Sequence, residues 1–243
     1  MNRSARPNKP NGTKALSVVA LTAGELRSPL LEGLTVSDCD TVLSESSQRR
    51  VRANSVVVHQ GDPADHLYLI RKGCARYFYI TSQGKKVVLF WLMPGQIFGG
   101  AALLPTPTEY LVGTEVLKDA VLLVWRRSAI RSLASHIPRL LDNALSIAND
   151  YLTWYLAAHT SLVSHTAEQR LAHVLVTLAR GLGHKVSGGT RVELTNEQLA
   201  SAANVTPFTA SRILSSWHRN GAVVKSRGGI LLRSPEQLLP VHF

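Results

Sequence analysis

The sequence predicts an α+β chain in three successive parts: an antiparallel β-roll, one long helix, and a small helical domain closed by a two-stranded hairpin. Three changes of texture predict it. Between about residues 50 and 128, short apolar runs alternate with turn glycines. From Arg131 to Gly181 no glycine interrupts the chain and the apolar period becomes helical. Beyond Gly181, helix-start signatures precede two short amphipathic segments and a glycine-rich turn.

At 243 residues the chain can bury a sizeable core and form two domains. A hydrophobic content of 45% with 18% charged residues excludes a disordered chain. The net charge of +11 favours a polyanionic partner. Residues 166–243 hold nine Lys/Arg against four Asp/Glu, or +5, while residues 1–25 and the long middle section carry +3 each. Cys39 and Cys74 are the two cysteines, too few for an iron–sulfur cluster or a Cys-rich zinc site. They fit idle thiols of a reducing cytoplasm, the expected location. No apolar run approaches the ~18 residues of a membrane span, so no membrane partner is expected. "ALSVVALTAG" after Lys14 resembles a short signal-peptide core but reads better as a segment docking onto the first domain.

Residues 1–13 read as a mobile tail, and 1–27 together as tail and lead-in. The roll is assigned to 28–133. Its runs "SVVVHQ", "HLYLI", "ARYFYI", "KVVLFWL" and "AVLLVW" are punctuated by Gly61, Gly73, Gly84 and Gly95. Strands of about five to seven residues, spaced by about ten, predict an antiparallel sandwich or rolled barrel. Residues 134–165 form the long helix. Leu141, Leu145, Ala148, Leu152, Tyr155, His159 and Leu162 recur at steps of four and three, a heptad seam. Such a seam packs onto its own domain or pairs with its copy, and a helix joining two domains has little else to cover it. A parallel homodimer is therefore expected. His159 on that seam, like His59 and His66 in the strand region, reads as a tolerated histidine rather than a metal or haem ligand.

The last part, 166–243, divides into pieces. "RVEL" is a short strand. Thr195 with Gln198 three residues on is a capping box that starts a helix near Asn196. Leu199, Ala200 and Ala203 give that helix a narrow apolar face, and Asn204 suits a left-handed turn. Thr206 is an N-cap and Pro207 takes the first helical position, where its missing N–H costs nothing. Ala210, Ile213, Leu214 and Trp217 face inward, Thr209, Ser211 and Arg212 outward, and Gly221 ends the helix. "AVVKS" and "GILLR" flank Arg227, Gly228 and Gly229 as a hairpin with Lys225 and Arg227 at its tip. Two helices joined by a tight turn, then a hairpin, make a winged helix-turn-helix whose second helix is built to enter a major groove. A helical hairpin used only for packing would not need Arg212 exposed.

This order of elements resembles the family of the cyclic-AMP receptor protein and the fumarate–nitrate regulator (Crp/Fnr). The similarity runs over roughly 28–240 and is strongest in "VVVHQGDPADHLYLIRKGCARYFYI", "LMPGQIFGG" and "LTNEQLASAANVTPFTASRILSSWHRNGAV". It implies a bacterial transcription regulator with a cyclic-nucleotide-binding-like sensor domain, a homodimer on an inverted repeat of double-stranded DNA, and RNA polymerase as a further partner. It also implies that Phe208, Thr209, Ser211 and Arg212 meet DNA; Thr206 at the head of the same helix and Lys225 and Arg227 of the hairpin are expected beside them. Phe208 stands where the family has a glutamate. A carboxylate accepts from cytosine N4, whereas a phenyl ring makes only apolar contact, for instance with a thymine methyl.

Members that bind cyclic nucleotides carry Gly-Glu-Leu, then about ten residues on an arginine that neutralises the cyclic phosphate. In "FGGAALLPTPTEYLVGTEV", Gly100 replaces the glutamate. Thr108, Glu109, Tyr110 and Leu111 lie near the arginine position, and no cation falls between Gly99 and Glu115. Cyclic AMP is therefore not the expected effector. Haem, another small ligand, or none remain open. No nucleophile elbow, paired zinc histidines or carboxylate constellation supports an enzyme. Two alternatives stay beside the regulator: a haem- or small-ligand sensor whose output is a protein contact, and a nonspecific nucleoid protein.

Overall fold

A computed structural model describes residues 27–226 and 228–238. The expected mobile tail and the expected docking of "ALSVVALTAG" lie outside these residues, as does Arg227. A 3-10 turn, Pro29–Leu31, leads into α1 (Val36–Ser44), β1 (Ser47–Val51), β2 (Val56–Val58), β3 (His66–Ile80), β4 (Lys86–Leu92) and β5 (Ile97–Phe98). A second 3-10 turn, Gly100–Leu103, precedes β6 (Gly113–Arg126), α2 (Arg127–His136), α3 (Arg139–Ser164) and α4 (Ala167–Leu182). Then come β7 (His184–Val186), β8 (Gly189–Val192), α5 (Asn196–Ala202), α6 (Pro207–Arg219), β9 (Val223–Ser226), β10 (Gly229–Leu232) and α7 (Pro235–Leu238).

The first sheet runs β1-β6-β3-β4, with β2 also on β6 and β5 on β3, all pairs antiparallel. The expected short strands are corrected here. "HLYLI" and "ARYFYI" belong to one strand of 15 residues, and β6 is 14 residues long. Gly73 marks a bulge and not a turn: the β3–β6 register shifts between Ile70, Lys72 and Cys74, and Gly73 takes φ +91. A Cβ there would come within 2.7 Å of the Asp119 carbonyl oxygen. The bulges bend both long strands so that one sheet rolls up without chain breaks.

The roll closes over Tyr68, Ile70, Tyr77, Leu92, Phe98, Val116 and Leu122. A second cluster joins α1, α2 and the start of α3 to Leu67, Leu69 and Trp125. The helical region is not continuous from 134. It breaks at Ile137 and Pro138, because proline lacks the N–H and biases the preceding residue away from helical geometry. Helix α3 then runs 26 residues. Its Leu140, Asn143 and Ile147 are buried, and the Asn143 amide donates to the Leu30 and Glu32 carbonyls at 2.9 and 2.8 Å.

The third cluster builds the C-terminal domain from α4, α5 and α6 on the sheet β7-β8-β10-β9, and it includes Cys74, Trp91 and Leu117 of the roll. The domain is thus docked on the outer face of β3, β4 and β6. Lys118 of the roll pairs with Glu193 across this contact at 2.8 Å.

Candidate nucleic-acid interface

Local chemistry fixes the two helices that frame the interface. Thr195 Oγ1 accepts from the Gln198 amide while the Gln198 side chain accepts from the Thr195 amide, so the capping box forms in both directions. Helix α5 ends in a left-handed turn on Asn204, at φ +51. The Val205 amide reaches the Ala200 carbonyl at 3.0 Å and the Asn204 amide the Ser201 carbonyl at 3.3 Å, the paired bonds of a Schellman ending. Arg170 of α4 clamps the turn, with Nε on the Ala203 carbonyl at 3.1 Å and Nη2 on that of Asn204 at 3.4 Å. This arginine was missed in the sequence, where it reads as one more surface cation.

Thr206 caps α6 by accepting from the Thr209 amide, and Pro207 occupies the first turn. Ala210, Ile213, Leu214 and Trp217 are buried as expected. Trp217 donates from Nε1 to Glu168 Oε1 at 2.8 Å, fastening α6 to α4. The other side of α6 holds the expected contact residues. Arg212 is exposed, and Phe208 is 79% exposed. Thr206 is exposed, while Thr209 and Ser211 are half-buried. The Thr206 and Thr209 hydroxyls lie 2.9 Å apart and bond to each other.

Lys225 departs from its expected place. It lies within β9 opposite Ile230, and its ammonium donates to Ser215 Oγ of α6 at 3.2 Å. It braces α6 against the wing from inside the ladder, whose last pair is Ser226 with Gly229.

The proposed seam residues Leu141, Leu145, Ala148, Leu152, Tyr155, His159 and Leu162 are all exposed on α3. Leu156 and Val163 widen this apolar face towards its C-terminal end. Tyr151, between seam positions, turns the opposite way and packs on Tyr77 and Phe90 of the roll, with ring centroids at 6.0 and 5.1 Å. Its hydroxyl donates to the Ile97 carbonyl at 2.6 Å.

In the roll, Gly100 opens the second 3-10 turn and is exposed. Glu109, Thr108, Tyr110 and Leu111 line an open cleft of about 500 Å³ with Gln60, Gly61 and Tyr79. Two cations of neighbouring strands are engaged: Lys86 donates to Glu115 at 2.7 Å and Arg71 to Gln48 at 3.1 Å. Arg76 also binds Glu115, at 2.9 Å. Burial pushes the Glu115 carboxyl up, but the bonds from Lys86 and Arg76 outweigh it and hold the group below its ordinary range. His59, His66 and His159 stand apart, and among the described residues no group of three or more His, Cys, Asp or Glu is placed to hold a metal ion. Cys39 and Cys74 are buried free thiols. Among the described residues no helix is long and apolar enough to cross a membrane.

Comparison with known proteins matches each half separately. Residues 48–136 match the cyclic nucleotide-binding domain, and residues 169–241 match the Crp-like helix-turn-helix domain. The chain is 27% identical over 217 residues to a cyclic AMP receptor protein of Thermus thermophilus, covering 89% of this chain and 97% of that one. It is 23% identical to an anaerobic regulatory protein of Bacillus subtilis, covering 83% and 90%. In structure it resembles FixK2 from Bradyrhizobium japonicum, with a TM-score of 0.69 at 22% identity over 79% of this chain and 95% of that one. It also resembles the c-di-GMP responsive global regulator CLP of Xanthomonas campestris, with a TM-score of 0.70 at 19% identity over 82% and 100%.

Proposed function

Because this chain belongs to the Crp/Fnr family of transcription regulators, we propose that it binds a specific inverted-repeat DNA site as a homodimer without control by cyclic AMP. The observation that carries the base-reading is Arg212, a guanidinium exposed on the outward face of a capped and clamped α6. An arginine there offers a fork of donors matched to guanine O6 and N7. The second copy is supported by the uncovered apolar face of α3, on which Leu145 is 73% exposed. A parallel pair of such helices sets two recognition helices about 34 Å apart, one turn of the duplex.

Selection from a random DNA pool tests this reading. It should return an inverted repeat with half-site centres about 10–11 base pairs apart. On that site Arg212→Ala should cost about 1–3 kcal/mol while nonspecific binding barely changes. Equal loss on both would make Arg212 a phosphate contact. Equal affinity across the pool would support the nucleoid alternative instead.

A further inference from the structure

Phe208 is the second residue of α6 and is 79% exposed, next to an N-terminus whose two threonine hydroxyls bond to each other. Arg212 lies four residues on, so the two side chains share one face of the helix. The outward end of this helix therefore offers a fork of donors and an apolar ring. The acceptor that would recognise the amino groups of cytosine or adenine is lacking from both. In the major groove the apolar feature of a base pair is the C5-methyl group.

We propose that Phe208 makes this helix a reader of the pyrimidine 5-methyl group, so that each half-site holds a thymine which 5-methylcytosine can replace. The inference rests on the base-reading role given to α6. Four residues rise about 6 Å along a helix, close to two base-pair steps of about 3.4 Å. The methyl group thus lies about two base pairs from the guanine read by Arg212. A ring that shelters one methyl from water gains the transfer free energy of a single carbon, equivalent to about fourfold in affinity per half-site. Two half-sites together give about fifteenfold.

The test uses the full-length chain and the duplex it selects from a randomised pool, resynthesised with deoxyuridine replacing each thymine in turn. Uracil pairs as thymine does and lacks only the methyl group. We expect one half-site position at which uridine weakens binding about fourfold, and Phe208→Ala to bind both duplexes alike. At that position cytosine should bind weakly and 5-methylcytosine should recover part of the loss. Phe208→Leu should keep a reduced preference for the methyl group. Phe208→Glu, which restores an acceptor, should return cytosine there in a repeat selection. The proposal is overturned if no thymine is sensitive to uridine, if Phe208→Ala keeps the same sensitivity, or if 5-methylcytosine is no better than cytosine. A pool that yields no preferred sequence overturns the base-reading itself. A selected site indifferent to uridine overturns only the role of Phe208.

Discussion

In the β-roll Tyr68, Tyr77, Phe98 and Tyr110 are buried, whereas in the winged domain Phe208 projects from the head of α6. The roll also draws in Tyr151 from α3 and satisfies two of its phenols on backbone: Tyr151 on the Ile97 carbonyl and Tyr110 on that of His66, at 2.6 and 2.7 Å. An aromatic ring buries a large apolar area, and its polar tip must find a partner. The roll uses both for its own cohesion. The winged domain leaves its ring uncovered while every residue of the inward stripe of α6 is buried. An apolar ring turned outward beside an exposed arginine is the arrangement on which the proposed base-reading rests. Helix α3 combines the two habits, with Ile147 and Tyr151 turned to the roll and Leu145, Leu152 and Leu162 turned out.

The largest effect should come from charging that outer face of α3. In a parallel pair, Leu152→Glu places two carboxylates side by side on the apolar seam. Sedimentation should give monomers, and affinity for the selected site should fall by about 100-fold or more, because the second half-site no longer acts as a tethered contact. A variant that stays dimeric and binds normally would mean that this apolar face is not completed by a second copy, which would break the comparison for α3.

A smaller effect separates the inward-built roll from the outward-built domain. Glu115 holds Arg76 and Lys86 on β3 and β4 from its place on β6. Glu115→Gln removes the carboxylate from a part-buried pair of charge-assisted bonds, a change that costs about 1–3 kcal/mol. The folded-state pKa of Glu115 is depressed, so its contribution is fully present above the ordinary carboxylate value near 4.3 and is lost as pH falls through the lower folded value. The gap in thermal stability between wild type and variant should therefore be widest at neutral pH and narrow below about pH 4. A gap that is constant with pH would assign the loss to packing rather than charge.

The same contrast explains what the sequence disclosed. The caps of α5 and α6 are local: Thr195, Gln198, Asn204, Thr206 and Pro207 each act on backbone within about five residues of themselves, and each does in the structure what its spacing predicts. Gly221 likewise ends α6 at φ +77. The roll is fixed by distant pairing. A glycine at positive φ serves a turn or a bulge equally well, so Gly73 looked like punctuation until β6 was set beside β3. Strand β1 went unnoticed because four of its five residues are exposed and polar, on an edge where no alternation is needed. "AVVKS" does end at the turn, but Lys225 lies inside the ladder opposite Ile230, and its bond to Ser215 joins the wing to α6 across ten residues, which the sequence alone does not display. Tyr151 gave no signal in the sequence, since it lies one residue before Leu152 and its orientation is decided by the roll.

The smallest expected effect is none at all: titrating the purified protein with cyclic AMP should give no saturable heat up to about 1 mM, and no rise in DNA affinity. A cyclic phosphate is a full negative charge, and sheltering an ion without a partner costs several kcal/mol even after relaxation. Near the position where the resemblance would put a phosphate-neutralising arginine, this chain lines its cleft with Glu109, which adds repulsion to the missing attraction. Lys86 and Arg71 already serve Glu115 and Gln48, so recruiting either means breaking a bond the roll has made, which leaves the exposed Lys72 and Lys85 as the cations that could fold in. Each ~1.4 kcal/mol lost weakens binding tenfold, so these terms together carry a micromolar ligand beyond the millimolar range. Micromolar binding with tighter DNA association would show that the inward packing of the roll yields to a ligand, and the contrast between its two kinds of aromatic residue would then describe one state of the protein rather than its design.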